Sequence, residues 1–234
     1  MLVNKDSLEG RILYIQGHKK SEEQARRSFN SFVLNKFKNI KLVPGITPET
    51  LKIDKFPYEL TKNGRLESFF KKNKKYLSKL SCVHNTLYFC IKVLEKNKPM
   101  LSAEHDCICI DSFESIEIED FCFLNFDTAL TKDCYDKGKY QKYEIISQPG
   151  INHFPKNYPL QCRYKSVYYK SVLPPGLAGY ILTPSGAKKI LEAVKLNGLE
   201  QCDFLINSST LKLEYISPSI CTYNPVNLKT SHGF

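Results

Sequence analysis

Short apolar runs that stop at glycine or proline alternate with longer amphipathic stretches along most of this chain, and that alternation restricts the fold to a sheet layered with helices. The first run, residues 11–16, ends at Gly17, and Ser21 with Glu22 and Glu23 opens a helical stretch behind it as a capping serine with an acidic first turn. Residues 41–46 read as a second strand leaving into a turn, with Thr47 and Pro48 as another helix start. Leu77, Leu80, Val83, Leu87, Ile91 and Leu94 then recur at three- and four-residue spacing, which places them on one helical face with His84 beside it. Pro99 ends that element, and a strand beginning at Met100 runs into Glu104, His105 and Asp106. Residues 107–110 continue as an apolar segment and 121–126 as another strand, after which 127–169 lack periodicity and are expected to form long loops. Residues 179–183 give a strand, 188–195 a helix with Ile190, Leu191 and Val194 inward, Asp203 a further helix start, and 213–216 a late strand. Residues 218–234 are expected to be a tail. The fold class is α/β.

A chain of 234 residues with 42% hydrophobic composition supports one compact unit. The net charge of +10, with basic residues densest over 62–98 and again at 137–142, Arg163 and Lys165, favours a polyanionic partner. Nucleic acid, an anionic membrane or glycolipid surface, and a nucleotide diphosphate all qualify, and a generally lysine-rich surface gives the same number. Nine cysteines without a CxxC pair fit a reduced compartment rather than a thiolate zinc site. Charges among the first residues, and the absence of any apolar window of about 18 residues, lead to the expectation of a soluble cytoplasmic protein, with peripheral attachment to an anionic surface left open.

Glu104 and Asp106 are two carboxylates at the end of an apolar strand, where an open α/β sheet presents its ligand site. Such a pair can hold a hard divalent cation, Mn²⁺ or Mg²⁺, against the oxygens of a nucleoside diphosphate, although acids at strand ends are also common as plain surface. Gln16, Gly17, Ser21 and Arg26 stand where a loop leaving a strand offers backbone N–H groups to a diphosphate, with solvated helix charge as the other reading of Arg26 and Arg27. Walker, nucleophile-elbow and HExxH patterns are absent, which removes support from kinase, hydrolase and zinc-protease chemistry.

The order of these segments resembles glycosyltransferase family 25, the lipopolysaccharide-type enzymes. The matching stretches are 12–27, 80–94, 101–107, 177–191, Asp203 and Pro218-Ser219, with residues 178–189 and the acidic strand end the most specific. The family's Glu-Asp-Asp reads Glu104-His105-Asp106 here, and the serine of its Ser-His pair is Val83. The resemblance implies a GT-A-like single domain, a Rossmann-like mixed sheet flanked by helices, with residues 1–126 as the nucleotide-sugar half and 127–234 as the acceptor half and tail. It implies a donor site using His84, Glu104, His105 and Gly179, and a metal held by Asp106, Glu104 and His232. Asp203 would be the base for an acceptor hydroxyl. The local readings remain beside these: a core-edge histidine for His84, a helix cap for Asp203, a tail residue for His232.

The implied activity is sugar transfer from a donor such as a UDP-sugar to a hydroxyl acceptor. That acceptor is either a glycan or a hydroxylated DNA base, the latter as in enzymes by which some phages glycosylate their genomes. The competing class is an inactive nucleic-acid-binding protein on a glycosyltransferase fold.

Overall fold

A computed structural model describes residues 1–52, 76–126, 147–156, 158, 160–162 and 167–223. In chain order the elements are β1 (Leu2–Asn4), β2 (Glu9–Tyr14), α1 (Lys19–Leu34), β3 (Asn39–Pro44), α2 (Tyr76–Lys96), β4 (Met100–Glu104), β5 (Cys107–Cys109), β6 (Ser115–Glu117) and β7 (Phe121–Phe123). They continue with β8 (Gly150–His153), β9 (Gly179–Leu182), α3 (Pro184–Asn197), α4 (Cys202–Leu205), β10 (Leu213–Ser217) and β11 (Cys221–Tyr223). The expected α/β class holds.

Seven strands form one sheet in the order β3-β2-β4-β9-β7-β10-β8. β2, β3 and β4 are mutually parallel, β9 runs against both β4 and β7, β10 is parallel to β7, and β8 is antiparallel to β10. Five strands therefore point one way and only β9 and β8 oppose them. Two-residue alternation divides the side chains between the faces. Phe121, Phe123, Tyr180, Leu182, Leu213 and Tyr215 join the core under α2 and α3. Ile12, Leu101, Ala103, Cys122 and Ile181 join the opposite core with Ala25 and Phe32 of α1 and the cysteines of the β5–β11 ribbon. Arg11, on the α2 side of β2, is buried with no carboxylate partner among the described residues: its Nε donates to Ser102 Oγ (3.1 Å), its Nη2 to the Asn85 carbonyl (2.9 Å), and its guanidinium lies over the Phe89 ring.

Several local expectations are corrected. The cap of α1 is His18, whose Nδ1 accepts from the Ser21 N–H, while Ser21 Oγ is turned inward to accept from Ile15 N–H (2.9 Å). On α2, Leu80, Val83 and Leu87 are buried as expected, but Phe89, Cys90 and Val93 complete the face, and Leu77 is exposed. Thr47 starts only a turn among the described residues. Residues 107–109 do not prolong β4, because the chain turns at His105 and Asp106 and β5 pairs instead with β11 in the supposed tail. The supposed loop region contains β8 and the buried Tyr158, whose ring packs with Phe126 and Phe154.

The segment at the start of α3, the most specific part of the family resemblance, has a structural account. Thr183 Oγ1 caps α3 by accepting from Gly186 N–H (3.1 Å), and Pro184 occupies the first turn, where its missing N–H costs nothing. The buried Asp120 accepts from Ser185 Oγ (2.8 Å), Lys189 Nζ (2.5 Å) and Lys212 N–H (2.9 Å). Burial opposes ionisation of Asp120, but these donors outweigh it and hold the carboxyl below its ordinary range. Gly186 has to be glycine because a Cβ there would overlap the Asp120 carbonyl oxygen and come within 2.9 Å of Leu182 Cδ1. Alanine would raise intrinsic helix propensity by about 1 kcal/mol, yet overpacking against backbone costs about 1–3 kcal/mol. Gly186→Ala is therefore expected to lower the unfolding free energy measured in urea; a variant as stable as the parent would show that this helix start is free to shift.

Candidate active site

β2 is followed by α1 and β3 on one side, and the chain then crosses back to place β4 on the other side of β2. The carboxyl ends of β2 and β4 thus border a topological switch point, the place where the two connections diverge and leave a crevice. The segments after these ends are Ile15–His18 and Glu104–Asp106, so the two sequence-predicted halves of the donor site lie at the same edge of the sheet.

Alternation along β4 sends Ser102 and Glu104 to the α2 face, opposite Leu101 and Ala103. There the Glu104 carboxyl meets the fields of Asp106 and of Asp203 on α4. Glu104 is exposed at the strand end, although protein is packed densely around its carboxyl. Desolvation first, then repulsion from Asp106 and Asp203, pushes its carboxyl up to about 8. Two thiols share this neighbourhood. Desolvation, with Glu104 and Asp203 adding to it, raises Cys82 of α2 to about 11, and Cys202 of α4 is also raised. Sequence reasoning missed both cysteines, because only the packing of α2 against α4 brings them to the strand end.

Asp106 Oδ1 is buried and has no hydrogen-bond partner among the described residues. An orphaned buried carboxylate oxygen is costly unless something positive completes it. The donor set therefore fits a divalent cation, with Asp106 as the group in need of a partner and Glu104 next to it. Ligand atoms of Glu104, Asp106 and Asp203 do not close into a ready-made cluster; among the described residues three such atoms lie within 4.8 Å of one another only at Glu119, His153 and Glu214.

Asp203 lies exposed in the first turn of α4, and the cap position belongs to Gln201. Burial lowers the pKa of His105, Asp106 opposes that, and the His18 charge adds to it. His84 is buried on α2, and desolvation lowers its pKa. Gln16 and Arg26 meet in a pocket of about 200 Å³ also lined by Tyr14, Glu22, Ala25 and Leu42. The Gly17 N–H is already taken by Glu22 Oε1 (2.8 Å), so a phosphate would have to displace that carboxylate to reach it. Gly179 is buried in the sheet, and a Cβ there would stand 2.9 Å from Cys107 Sγ, so close packing accounts for this glycine. His232 lies outside the described residues, as do the basic residues at 62–75, 137–142, Arg163 and Lys165.

Among the described residues no helix is long and apolar enough to cross a membrane. Comparison of the chain with protein-family models and with curated proteins gives no match.

The raised Glu104 carboxyl has a consequence for stability. A carboxyl protonated in the folded state up to about pH 8 but ionised in the unfolded chain from about pH 4.5 makes stability fall as pH rises between those values. Glu104→Gln removes the cost of ionising that site. Without added metal, this variant is expected to melt above the parent at pH 8–9 and level with it near pH 5. Equal melting temperatures at both ends of the range would show that the Glu104 carboxyl is not raised in the folded protein.

Proposed function

We propose that this protein is a metal-dependent glycosyltransferase with a GT-A-like arrangement, moving a sugar from a nucleoside diphosphate donor to a hydroxyl acceptor. The observation that carries the reading is the buried, unsatisfied Asp106 oxygen at the switch point, with Glu104 under the charges of Asp106 and Asp203. The resemblance of residues 101–107 and 178–189 to family 25 is what assigns these acids their roles.

In this reading Asp106 and Glu104 hold Mn²⁺ or Mg²⁺. Bound there, the cation would neutralise the diphosphate oxygens as the bond to the sugar breaks. The first turn of α1 adds the positive end of its helix dipole on the β2 side of the crevice, with Arg26 nearby. Asp203, exposed on α4 and close enough to Glu104 to act on its ionisation, accepts the proton of the attacking hydroxyl. The acceptor is a glycan or a hydroxylated DNA base, and the net charge of +10 favours the polyanion. The same charge is what favours the second reading, an inactive nucleic-acid binder on this fold.

Release of UDP from a panel of UDP-sugars with Mn²⁺ and acceptor separates these readings, since a binder releases none. Asp106→Ala is expected to abolish metal-dependent donor binding while leaving the fold intact, and full binding and turnover in that variant would remove the metal-site reading. Asp203→Asn is expected to lower turnover by about 10²-fold or more with donor binding nearly unchanged, as for a group that acts only in the transition state. Loss of donor binding instead would make Asp203 a donor contact. Binding to duplex DNA, if that is the acceptor, weakens steeply with salt as phosphate counterions are released, whereas salt-independent binding points to a neutral glycan.

A further inference from the structure

The opposite edge of the sheet carries a second cluster that the proposed transfer chemistry does not use. β7 and β10 both run toward the Glu104 edge, so the residues at their beginnings, Glu119 just before β7 and Glu214 at the start of β10, lie at the far edge. β8 runs the other way, and its last residue, His153, stands directly across from Glu214 in the antiparallel register. The three ligand atoms lie within 4.8 Å of one another.

We propose that Glu119, His153 and Glu214 form a second metal site, for a divalent cation of the zinc class. Glu214 is the fixed member: its side chain is only 4% accessible, and its Oε2 is held by the Glu119 N–H at 2.7 Å. Its Oε1 makes no hydrogen bond among the described residues and lies 3.9 Å from His153 Nδ1. That oxygen is left open beside the imidazole on a side chain otherwise enclosed by protein, so a cation bridging the two would meet a ligand already held in place. One imidazole and two carboxylates are a borderline donor set, which suits Zn²⁺ better than Mg²⁺ or Ca²⁺. Tetrahedral bonds of about 2.0–2.1 Å place neighbouring ligand atoms roughly 3.4 Å apart. The His153–Glu214 pair needs to close by about half an ångström to reach that spacing. His153 is 69% accessible and so able to make the move. Three protein ligands leave the fourth position to water. Lys212 Nζ now ion-pairs with Glu119 and competes with the cation.

The test is calorimetric titration of Zn²⁺ alone into the full-length protein, with parallel thermal melts. The parent is expected to bind Zn²⁺ at a site that Asp106→Asn leaves intact and that raises the melting temperature. His153→Ala, a change at an exposed side chain, should weaken that site by at least about 10-fold, the smallest loss that follows even from removing a partner that only orients a metal ligand. Glu119→Gln should weaken it too, and Lys212→Met should tighten it. Binding by His153→Ala equal to the parent's, or loss of all Zn²⁺ binding in Asp106→Asn, would overturn the proposal. Because sugar transfer is assigned to the Asp106 edge, failure here leaves that reading standing, and failure of that reading leaves this site standing.

Discussion

The antiparallel strand β9, inserted between β4 and β7, is the element on which the rest of the molecule depends. It joins the parallel β3-β2-β4 group to the β7-β10-β8 group, and its hydrogen bonds fix where each stops. At one end the Ala178 carbonyl accepts from Glu104 N–H at 2.8 Å and the Gly179 carbonyl from Leu124 N–H at 3.0 Å. These bonds hold the chain at the point where it turns through His105 and Asp106. At the other end Thr183 N–H donates to the Asp120 carbonyl at 3.0 Å, and α3 begins from there under the grip of the Asp120 side chain. Gly179 lets the β5–β11 ribbon close over β9, since any side chain would meet the Cys107 sulfur. The position of the carboxylates at the switch point follows from this pairing.

Charge is distributed unevenly within that frame. The chain carries +10 overall, yet at the crevice edge desolvation, with repulsion from Asp106 and Asp203 added, raises the Glu104 carboxyl to about 8. A positive surface draws a polyanion from a distance, while a local cluster of acids repels it at contact unless a cation intervenes. The two features are compatible with one ligand, a diphosphate delivered with its metal. Two other buried charges are well matched: Asp120 by Lys189, and Arg11 by a hydroxyl, a carbonyl and an aromatic face.

Strand and helix periodicity made the α/β class legible, and the spacing from Leu80 to Leu87 identified the buried face of α2, because those signals are local. The switch-point location of Glu104 and Asp106 was legible for the same reason, as the end of an apolar run. What escaped depends on pairing between distant segments. β8 and β11 are short and lack alternation strong enough to stand out, and each exists because β10 or β5 offers it a partner. The Ser21 hydroxyl matched a capping pattern but serves Ile15, since His18 reached the helix end first. Cys82, Cys202 and the cross-strand pair His153–Glu214 had no sequence signal beyond an acid set between the apolar Leu213 and Tyr215 of a strand. The segment that most resembled a known family, by contrast, was legible as sequence, and its residues serve helix capping and the Asp120 anchor.

The central claim is that a nucleoside diphosphate and its cation occupy the switch-point crevice. Paramagnetic broadening by Mn²⁺ of the amide resonances, recorded with and without UDP, tests it most directly. The claim requires UDP-dependent loss of signal centred on Glu104, His105 and Asp106, extending to Gln16, Gly17 and His18 across the crevice and to Cys202 and Asp203 on α4. Sharp resonances at all of these positions in the presence of UDP and Mn²⁺, or broadening confined to the Glu119–His153–Glu214 edge, would contradict it.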